Sequence, residues 1–359
     1  MKDIVISLWT YQTLDKSSML KTIDERLAAM EKQIERCAKT VTSLGADIEL
    51  GNEFHAIFAA PEYYFTAPAQ TRTALTTVQK DLLYLKLAAL SKKYPKILMI
   101  PGTIFFKEEI DTEVARTKMK SHLLMSEITA KSTLAKPDYE DVLSGWTTGG
   151  GLHVPALKDI GTELGREVPT GERVRNVAYI LLGGERQAMY DKHVDFTEAV
   201  GVSPDNLFFI PGTQDQCPVI GNFKFGVEIC FDHASAVLSR RSVSKLDFHV
   251  VLSAWTSSAT TNMAMAKGGF FLHASSNSQA TGVFVHNVHG KIVELVPSPA
   301  KKDNTLLQYR VEIDNRPLVT VVEAPKVTVP KPEQVTVKGV KLPVGAIKLP
   351  MPPGKTTGT

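Results

Sequence analysis

Apolar residues occur along the first part of this chain in short runs that alternate with longer amphipathic stretches. The run at residues 4–8 predicts a buried strand, and at 17–44 apolar side chains recur every three or four positions, which indicates a helix. An apolar run at 53–60, a helical pattern at 75–93 and a strand, turn and strand at 96–106 repeat this order. Strands that alternate with helices are typical of an α/β protein whose sheet is covered by helices.

The apolar pattern returns after residue 173. Runs at 176–182 and 187–190 flank a Gly-Gly turn and predict a hairpin, as do the runs at 283–286 and 292–296. The remaining predicted elements are buried strands at 225–229, 248–255 and 306–313, and helices at 234–241 and 261–274.

Two segments depart from this rhythm. Residues 107–173 are first charged and then rich in Thr, Gly and Pro, and they are too long for a simple connection, so we interpret them as an insertion. Residues 315–359 are dense in Pro, Val and Lys, which is typical of an extended arm that docks on the body or exchanges with a partner subunit. The predicted organisation is therefore one domain over residues 1–314, with the insertion, followed by this extension.

Composition and charge exclude some functions. A hydrophobic content of 43% is ordinary for a globular protein, and a formal net charge of +3 without a basic, aromatic-rich stripe gives no indication of nucleic acid binding. The three cysteines are unclustered and odd in number, which argues against a disulfide framework. The apolar stretch at the N-terminus is too short for a signal peptide, and no run is long enough to cross a bilayer. We therefore expect a soluble, cytoplasmic protein that binds neither nucleic acid nor membrane.

Three reactive side chains stand at or just past the ends of predicted strands. Glu62 follows the run at 53–60, where Pro61 stops the strand, Lys192 follows the first hairpin, and Cys230 follows the run at 225–229. A lone cysteine beside apolar residues is usually a buried hydrophobe. In an open α/β sheet, however, the carboxyl ends of strands gather on one edge, so a carboxylate, an ammonium group and a thiol converge there. A helix that begins after Cys230 would favour its thiolate.

The motifs around these residues resemble those of the nitrilase superfamily of carbon–nitrogen hydrolases, whose Glu-Lys-Cys triad occurs in this order. The matching motifs are Ala-Pro-Glu-Tyr at 60–63, Tyr-Asp-Lys-His at 190–193, Phe-Ile-Pro-Gly at 209–212 and Gly-Val-Glu-Ile-Cys-Phe-Asp at 226–232. Asp232 after the cysteine is more similar to the amidase and carbamoylase branches than to true nitrilases. The resemblance implies an α-β-β-α sandwich, homodimers or larger homo-oligomers, and no cofactor.

The resemblance also implies roles for the triad that are consistent with the chemistry of these side chains. Glu62 is the general base, Cys230 the nucleophile that forms a thioester, and Lys192 with the backbone N–H of Phe231 stabilises the oxyanion. Many members have a second glutamate after the lysine motif, for which Glu198 is the candidate, although Asp195 and a solvated role for either remain open.

Several neighbouring residues are candidates for the substrate pocket, namely Tyr63, Asp232, His233 and Trp255. A second cysteine, Cys217, lies in a polar loop without a base, so we assign it no catalytic role. A metal site at Asp232, His233 and His249 lacks a recognisable ligand spacing, and none is predicted.

The sequence thus predicts a cysteine-dependent enzyme that hydrolyses a non-peptide carbon–nitrogen bond in a small amide or carbamoyl compound. Two alternatives remain open. The same thioester could be passed to an amine rather than to water, which would make the protein an acyl transferase. The fold could instead serve a catalytically silent binding or assembly protein whose working part is the Pro-rich arm.

Overall fold

A computed structural model of the chain describes residues 2–13, 22–44, 53–66, 74–109, 172–193, 207–209, 212, 217–240, 246–287, 289–297 and 305–313. Most of the predicted insertion, the Pro-rich arm, and the carboxylates Asp195 and Glu198 lie outside the described residues, so the predictions made for them stay predictions. The predicted division into domains also stays a prediction.

The described residues form fourteen strands, four α-helices and one 3-10 turn. In chain order these are β1 Lys2–Trp9, α1 Ile23–Ser43, β2 Ala56–Ala59, α2 Thr77–Lys93, β3 Ile97–Ile100, β4 Thr103–Glu109, β5 Glu172–Leu182, β6 Glu185–Asp191, β7 Leu207–Phe209, β8 Val219–Ile220, β9 Phe223–Ile229, α3 Phe231–Ala234, α4 Val237–Arg240, β10 Leu246–Ser253, the 3-10 turn Thr260–Asn262, β11 Met265–Ser275, β12 Gly282–His286, β13 Ile292–Glu294 and β14 Leu306–Ile313.

The strands form two sheets. The first has the order β14-β1-β2-β3-β5-β4, with β6 and β7 also paired to β5, and the second has the order β13-β12-β11-β10-β9-β8. Strands β1, β2 and β3 are parallel, as are β9, β10 and β11. Strand β6 also runs in the direction of β2, because two successive antiparallel pairings, β3 with β5 and β5 with β6, restore it. The ends of β2 and β6 therefore lie on one edge of the first sheet.

Both faces of the first sheet are buried, and side chains that alternate along its strands belong to two different cores. Ile4 and Ile6 of β1 pack in one core with Phe225 and Val227 of β9, so this core lies between the two sheets. Val5 of β1 belongs instead to a second core, which includes residues of α1 and α2. The short helices α3 and α4 pack against β9 of the second sheet. The layers are thus helix, sheet, sheet, helix, and the predicted α-β-β-α sandwich is confirmed.

The two long helices begin at capping boxes. Thr22 accepts a hydrogen bond from the N–H of Glu25, whose carboxylate accepts one from the N–H of Thr22, and α1 starts at the next residue. This cap explains why α1 begins later than the predicted start at residue 17. Cys37 lies on the buried face of α1, as predicted.

One predicted helix is wrong, and another is only partly confirmed. Residues 265–275 form the strand β11, which pairs with β10 on one side and β12 on the other. A strand buried on both faces reads as a continuous apolar run, and such a run cannot be told from a buried helix by spacing alone. The predicted helix at 234–241 is interrupted at Ala236, whose φ of 56° separates α3 from α4.

Among the described residues, no helix combines the length and the apolar character needed to span a membrane.

Candidate active site

The segment that carries Glu62 leaves the end of β2 and is fixed from two directions. The buried guanidinium group of Arg26 donates hydrogen bonds to the backbone oxygens of Tyr64, at 3.1 Å, and Thr66, at 2.8 Å. On the other side, a Cβ atom at Gly102 would lie 2.5 Å from the backbone oxygen of Pro61, so only glycine allows the connection between β3 and β4 to approach the Glu62 segment this closely. The segment is therefore held rigidly where the strand ends.

The carboxylate of Glu62 is fully buried and paired. Lys192 Nζ donates to Oε1 at 2.8 Å, and Asn176 Nδ2 donates to the same oxygen at 3.0 Å. The other oxygen, Oε2, accepts from the backbone N–H of Ala254 at 3.1 Å. The Lys192 ammonium group also lies 5.8 Å from the centre of the Tyr63 ring. The structure therefore brings two members of the predicted triad into direct contact in a buried site.

Lys192 is placed by the backbone as well as by this ion pair. Its N–H donates to the backbone oxygen of Asn176 at 3.0 Å, and its own backbone oxygen accepts from the N–H of Gly212 at 2.8 Å. A Cβ atom at residue 212 would lie 2.3 Å from the backbone oxygen of Asp191. The Pro-Gly motif at 211–212 thus has a physical reason, because its glycine lets the chain pack against the strand that carries the lysine.

Cys230 occupies a sharp turn between β9 and α3. Its φ of 49° and ψ of −103° are rare for a residue with a side chain, and such strain, of order 1–3 kcal/mol, concentrates at functional sites. Its N–H donates to the backbone oxygen of Leu252 at 2.9 Å, which links the turn to β10. This geometry resembles the nucleophile elbow in which a reactive side chain is presented at the end of a strand.

The loop after β10 completes the surroundings of the thiol. The N–H of Ala254, which donates to Glu62, also acts on the Cys230 thiol, and the Thr256 hydroxyl lies 3.0 Å from Sγ. Ala254 therefore connects the proposed base to the proposed nucleophile. Glu62 and Lys192 both act electrostatically on the thiol, so all three predicted residues converge.

The ionisation of Cys230 differs from the expectation. Burial, and after it the negative charge of Glu62, raise the pKa of the thiol from 9.0 to about 11, although Lys192 and the hydrogen bonds from Thr256 and Ala254 act in the opposite direction. The expected thiolate is not supported, because burial is the largest effect on the thiol and the helix that follows it, α3, has only four residues. At rest, Cys230 is a thiol.

Asp232, a candidate for the substrate pocket, does not line an open pocket. It is fully buried, and its carboxylate accepts hydrogen bonds from the Tyr190 hydroxyl at 2.8 Å and from the N–H of His193 at 3.2 Å. Tyr190 and His193 flank Lys192 in sequence, whereas Asp232 follows Cys230 by two residues. The contacts of Asp232 therefore favour a role in holding the lysine segment against the cysteine turn.

His233 is also fully buried, in a cluster on the helix side of the second sheet. Its Nδ1 atom and the Nε2 atom of His249 each lie 2.8 Å from Oε2 of Glu228, while Oε1 accepts from the N–H of Leu238 at 2.7 Å. These contacts connect β9, α3, α4 and β10 directly behind Cys230. They favour a supporting role for His233 rather than the predicted pocket role.

The side-chain atoms of Glu228, His233 and His249 that could bind a metal all lie within 4.8 Å of one another. The N–H of Ala264 donates to Nδ1 of His249, however, so the proton of this imidazole is on Nε2, the atom that faces Glu228. This hydrogen bonding suits a carboxylate with two imidazole donors, not a metal ion bound at Nε2. Burial alone would raise the pKa of Glu228, but the two histidines outweigh it and lower this pKa to about 2.

The other candidates have different surroundings. Trp255 is 72% exposed, although its neighbours on both sides contact the site, whereas Tyr63 is buried with its ring edge-on to Phe105. Phe231, whose N–H is the predicted oxyanion donor, is the first residue of α3. Cys217 lies just before β8 and is half-buried, and burial raises the pKa of its thiol.

Two contacts of the site were missed by the sequence analysis. Thr256 belongs to a run of small polar residues in which nothing distinguishes one hydroxyl from another. Asn176 begins the predicted strand at 176–182, and the structure brings its side chain to Glu62. Among the described residues, its Oδ1 atom is buried without a hydrogen-bond partner.

No protein-family model and no curated protein matches this chain. The chain is similar to several solved structures. One is Nit3 of Saccharomyces cerevisiae, a member of branch 10 of the nitrilase superfamily, with 16% identity, a TM-score of 0.44, and coverage of 86% of this chain and 90% of that one. Another is an amidase from Nesterenkonia sp., with 13% identity, a TM-score of 0.43, and coverage of 86% and 90%.

A third similar structure is the glutamine-dependent NAD+ synthetase of Acinetobacter baumannii in complex with ADP, with 14% identity and a TM-score of 0.45. The match covers 87% of this chain but only 46% of the synthetase, so the chain spans less than half of that protein's length. The superfamily named for two of the similar proteins, Nit3 and a variant of the Nesterenkonia amidase, is the one that the sequence motifs resemble.

Proposed function

We propose that this protein is a cysteine-dependent hydrolase that cleaves a non-peptide carbon–nitrogen bond, amide or carbamoyl, in a small molecule through a thioester acyl-enzyme. The observation that carries the proposal is the buried carboxylate of Glu62, which contacts Lys192 and acts electrostatically on the Cys230 thiol. A base, a cation and a nucleophile in one buried site are the groups that acyl transfer requires.

The first half-reaction uses Glu62 as a base. Because Cys230 is a thiol at rest, its S–H bond must break during attack, and the proton passes to the Glu62 carboxylate. The sulfur forms a bond to the carbonyl carbon, and the carbonyl electron pair moves to oxygen. The Lys192 ammonium group and the N–H of Phe231 stabilise the resulting oxyanion, which is worth most in a site that excludes water.

The remaining steps return every group to its starting state. When the tetrahedral intermediate collapses, the carbon–nitrogen bond breaks and Glu62 gives its proton to the leaving nitrogen, which leaves a thioester on Cys230. Glu62 then takes a proton from a water molecule that attacks the thioester carbon. As the carbon–sulfur bond breaks, this proton passes to the sulfur. One carboxylate serves both steps because each cycle restores its charge.

The burial of the triad favours a small substrate. Glu62 and Lys192 are fully buried and Cys230 is 6% exposed, so a folded protein chain could not reach the sulfur. The exposed indole of Trp255 is the proposed apolar contact for a substrate at the entrance. The insertion at 107–173 is the proposed source of selectivity. An unchanged substrate profile in a folded variant that lacks residues 115–165 would count against that role.

We further propose that the protein acts in the cytoplasm as a homo-oligomer. Its three cysteines are free, which suits a reducing compartment. The Pro-rich arm at 315–359 is the proposed subunit contact. Light scattering of the full chain and of a variant without residues 316–359 tests this, because the arm is expected to be needed for the full assembly.

The test of the proposed function is a screen of amides, nitriles, ureas and carbamoyl compounds with the wild type, Cys230→Ala and Cys217→Ser. The wild type and Cys217→Ser are expected to turn over the same compounds, and Cys230→Ala none. Turnover that survives in Cys230→Ala would exclude the mechanism.

Mass spectrometry of quenched reactions is expected to find one acyl group on Cys230. An added amine that intercepts this group faster than water would support the acyl transferase alternative. If no compound, including an activated ester, acylates Cys230, the catalytically silent alternative is favoured.

A further inference from the structure

Thr256 touches the sulfur of the proposed nucleophile but has no part in the mechanism described above. Its Oγ1 atom lies 3.0 Å from Cys230 Sγ, and among the described residues it is the one side chain that hydrogen-bonds this sulfur. Twenty-six residues separate the two positions, so the fold rather than the local sequence brings them together.

The loop that carries Thr256 is closed by a buried histidine. Ser253 Oγ lies 2.7 Å from His273 Nε2, and Ser258 Oγ lies 2.7 Å from His273 Nδ1. Burial lowers the pKa of His273 to about 3, so the ring is neutral near pH 7, with one nitrogen that donates and one that accepts. Thr256 therefore lies between two serines that one imidazole holds in place.

The backbone of the same loop is fixed on the side of Glu62. Ala254 donates its N–H to Glu62, and Ser253 accepts a hydrogen bond at its backbone oxygen from the N–H of Ser276 at 3.0 Å. A hydroxyl held on such a loop is already oriented before charge develops on the sulfur. Groups of this kind stabilise charge at little reorganisation cost.

We propose that Thr256 is a further catalytic residue of the proposed reaction, whose hydroxyl group donates a hydrogen bond to Cys230 Sγ when the thiol proton passes to Glu62. In this step the S–H bond breaks and an O–H bond forms on Glu62, while Thr256 keeps its own proton. A hydrogen bond made to the charged form of a group favours that form. The hydroxyl therefore stabilises the sulfur while it carries negative charge, until the carbon–sulfur bond forms.

The inference rests on the proposed function, but it can be tested without turnover. The probe is a small methanethiosulfonate, which reacts with the thiolate, and mass spectrometry measures the modification rate at Cys230 between pH 6 and 12. All variants carry Cys217→Ser, and Cys37 is fully buried. The charged groups that act on the thiol are Glu62 and Lys192, and Asp232 and His233 follow it on α3. Every variant at position 256 leaves these four unchanged.

Thr256→Val removes the hydroxyl and keeps the shape. We expect the midpoint of its pH profile to rise by about one unit, which leaves about tenfold less thiolate below the midpoint. Because the more basic thiolate is about threefold more nucleophilic, modification there should be about threefold slower. Thr256→Ser, which keeps the hydroxyl, is expected to retain the wild-type midpoint. Thr256→Ala serves as a second variant without a hydroxyl, should the valine variant fold poorly. A loop that merely becomes looser would change the rate plateau at high pH and leave the midpoint in place.

The outcomes separate this inference from the proposed function. A raised midpoint in the valine or alanine variant, with the serine variant unchanged, supports the role of Thr256. An unchanged midpoint in both variants overturns it, even if Cys230 is the residue that turns over substrate. Turnover in Cys230→Ala would instead refute the proposed function, whatever the midpoints are.

Discussion

Glu62→Gln is expected to make Cys230 more reactive towards a thiol reagent while it abolishes turnover. The side chain keeps its size and loses its charge, and Lys192, 2.8 Å away, then lacks its carboxylate partner. The rise of the thiol pKa from 9.0 to about 11 corresponds to roughly 3 kcal/mol against the thiolate; burial is its largest cause and the negative charge of Glu62 the second. With that charge removed, the remaining effect of Lys192 favours the thiolate.

The size of the effect follows from two opposing trends. A charge within a few ångströms changes a pKa by about one to three units, so a fall of about two units gives roughly a hundredfold more thiolate at pH 7. A thiolate of lower pKa is also less nucleophilic. With a Brønsted coefficient near 0.5, a fall of two pKa units makes each thiolate about tenfold less reactive. The modification rate at pH 7 should therefore rise about tenfold.

Lys192→Met provides the control of opposite sign. It removes the charge that lowers the pKa of Cys230, so modification at pH 7 should be slower than in the wild type, and turnover should again be lost. Either single change breaks a buried ion pair at a cost of about 3–5 kcal/mol, so thermal unfolding must first show that both variants are folded at the assay temperature. If both variants react faster, or both slower, the site has merely loosened and the electrostatic reasoning is refuted.

Three further changes test the supports of the site. Glu228→Gln should make the free energy of unfolding depend less on pH in acid. The pKa of Glu228 falls from 4.5 to about 2 in the folded state, which contributes roughly 3 kcal/mol to stability. This contribution is present above pH 4.5 and is lost as the pH falls through 2. Urea unfolding from pH 2 to 7 measures this, and an unchanged slope contradicts it. Arg26→Met leaves the oxygens of Tyr64 and Thr66 without their donor and should cost about 2–5 kcal/mol in urea unfolding, with kcat more affected than KM; full stability would contradict the role of Arg26. Asp232→Asn should lower kcat about 10–100-fold, and Tyr190→Phe added to it should cost little more, since the two side chains share one hydrogen bond; additive losses would count against this link.

Local sequence patterns could predict where the reactive residues lie along the chain. Pro61 stops β2 directly before Glu62, and the apolar run of β9 ends at Cys230, so both positions follow from strand length and composition. The predicted gathering on one sheet edge applies to Glu62 and Lys192, which follow β2 and β6 of the first sheet. Cys230 follows β9 of the second sheet, so its approach to them depends on how the two sheets pack. The same reasoning failed for β11, because a strand covered on both faces lacks the alternation that would distinguish it from a helix.

Local sequence patterns could not predict the contacts that define the site. Glu62 meets Asn176, Lys192 and the N–H of Ala254 across sequence separations of 114, 130 and 192 residues. The expected thiolate at Cys230 failed for the same reason, since burial and the charge of Glu62 are properties of the assembled sheets. Thr256 could not be recognised because its role depends on a loop that His273 closes from another strand.

The strain at Cys230 connects these supports to the chemistry. A residue at φ 49° keeps that conformation only if its surroundings stabilise it by more than the strain costs. Glu228 provides this on the helix side, since its carboxylate joins β9 to α3, α4 and β10. On the other side, the N–H of Cys230 donates to the backbone oxygen of Leu252, and the Thr256 hydroxyl contacts the sulfur. A cysteine that served only as core packing would need none of these contacts. The strained turn at Cys230 therefore indicates that the two sheets hold the sulfur in a defined position.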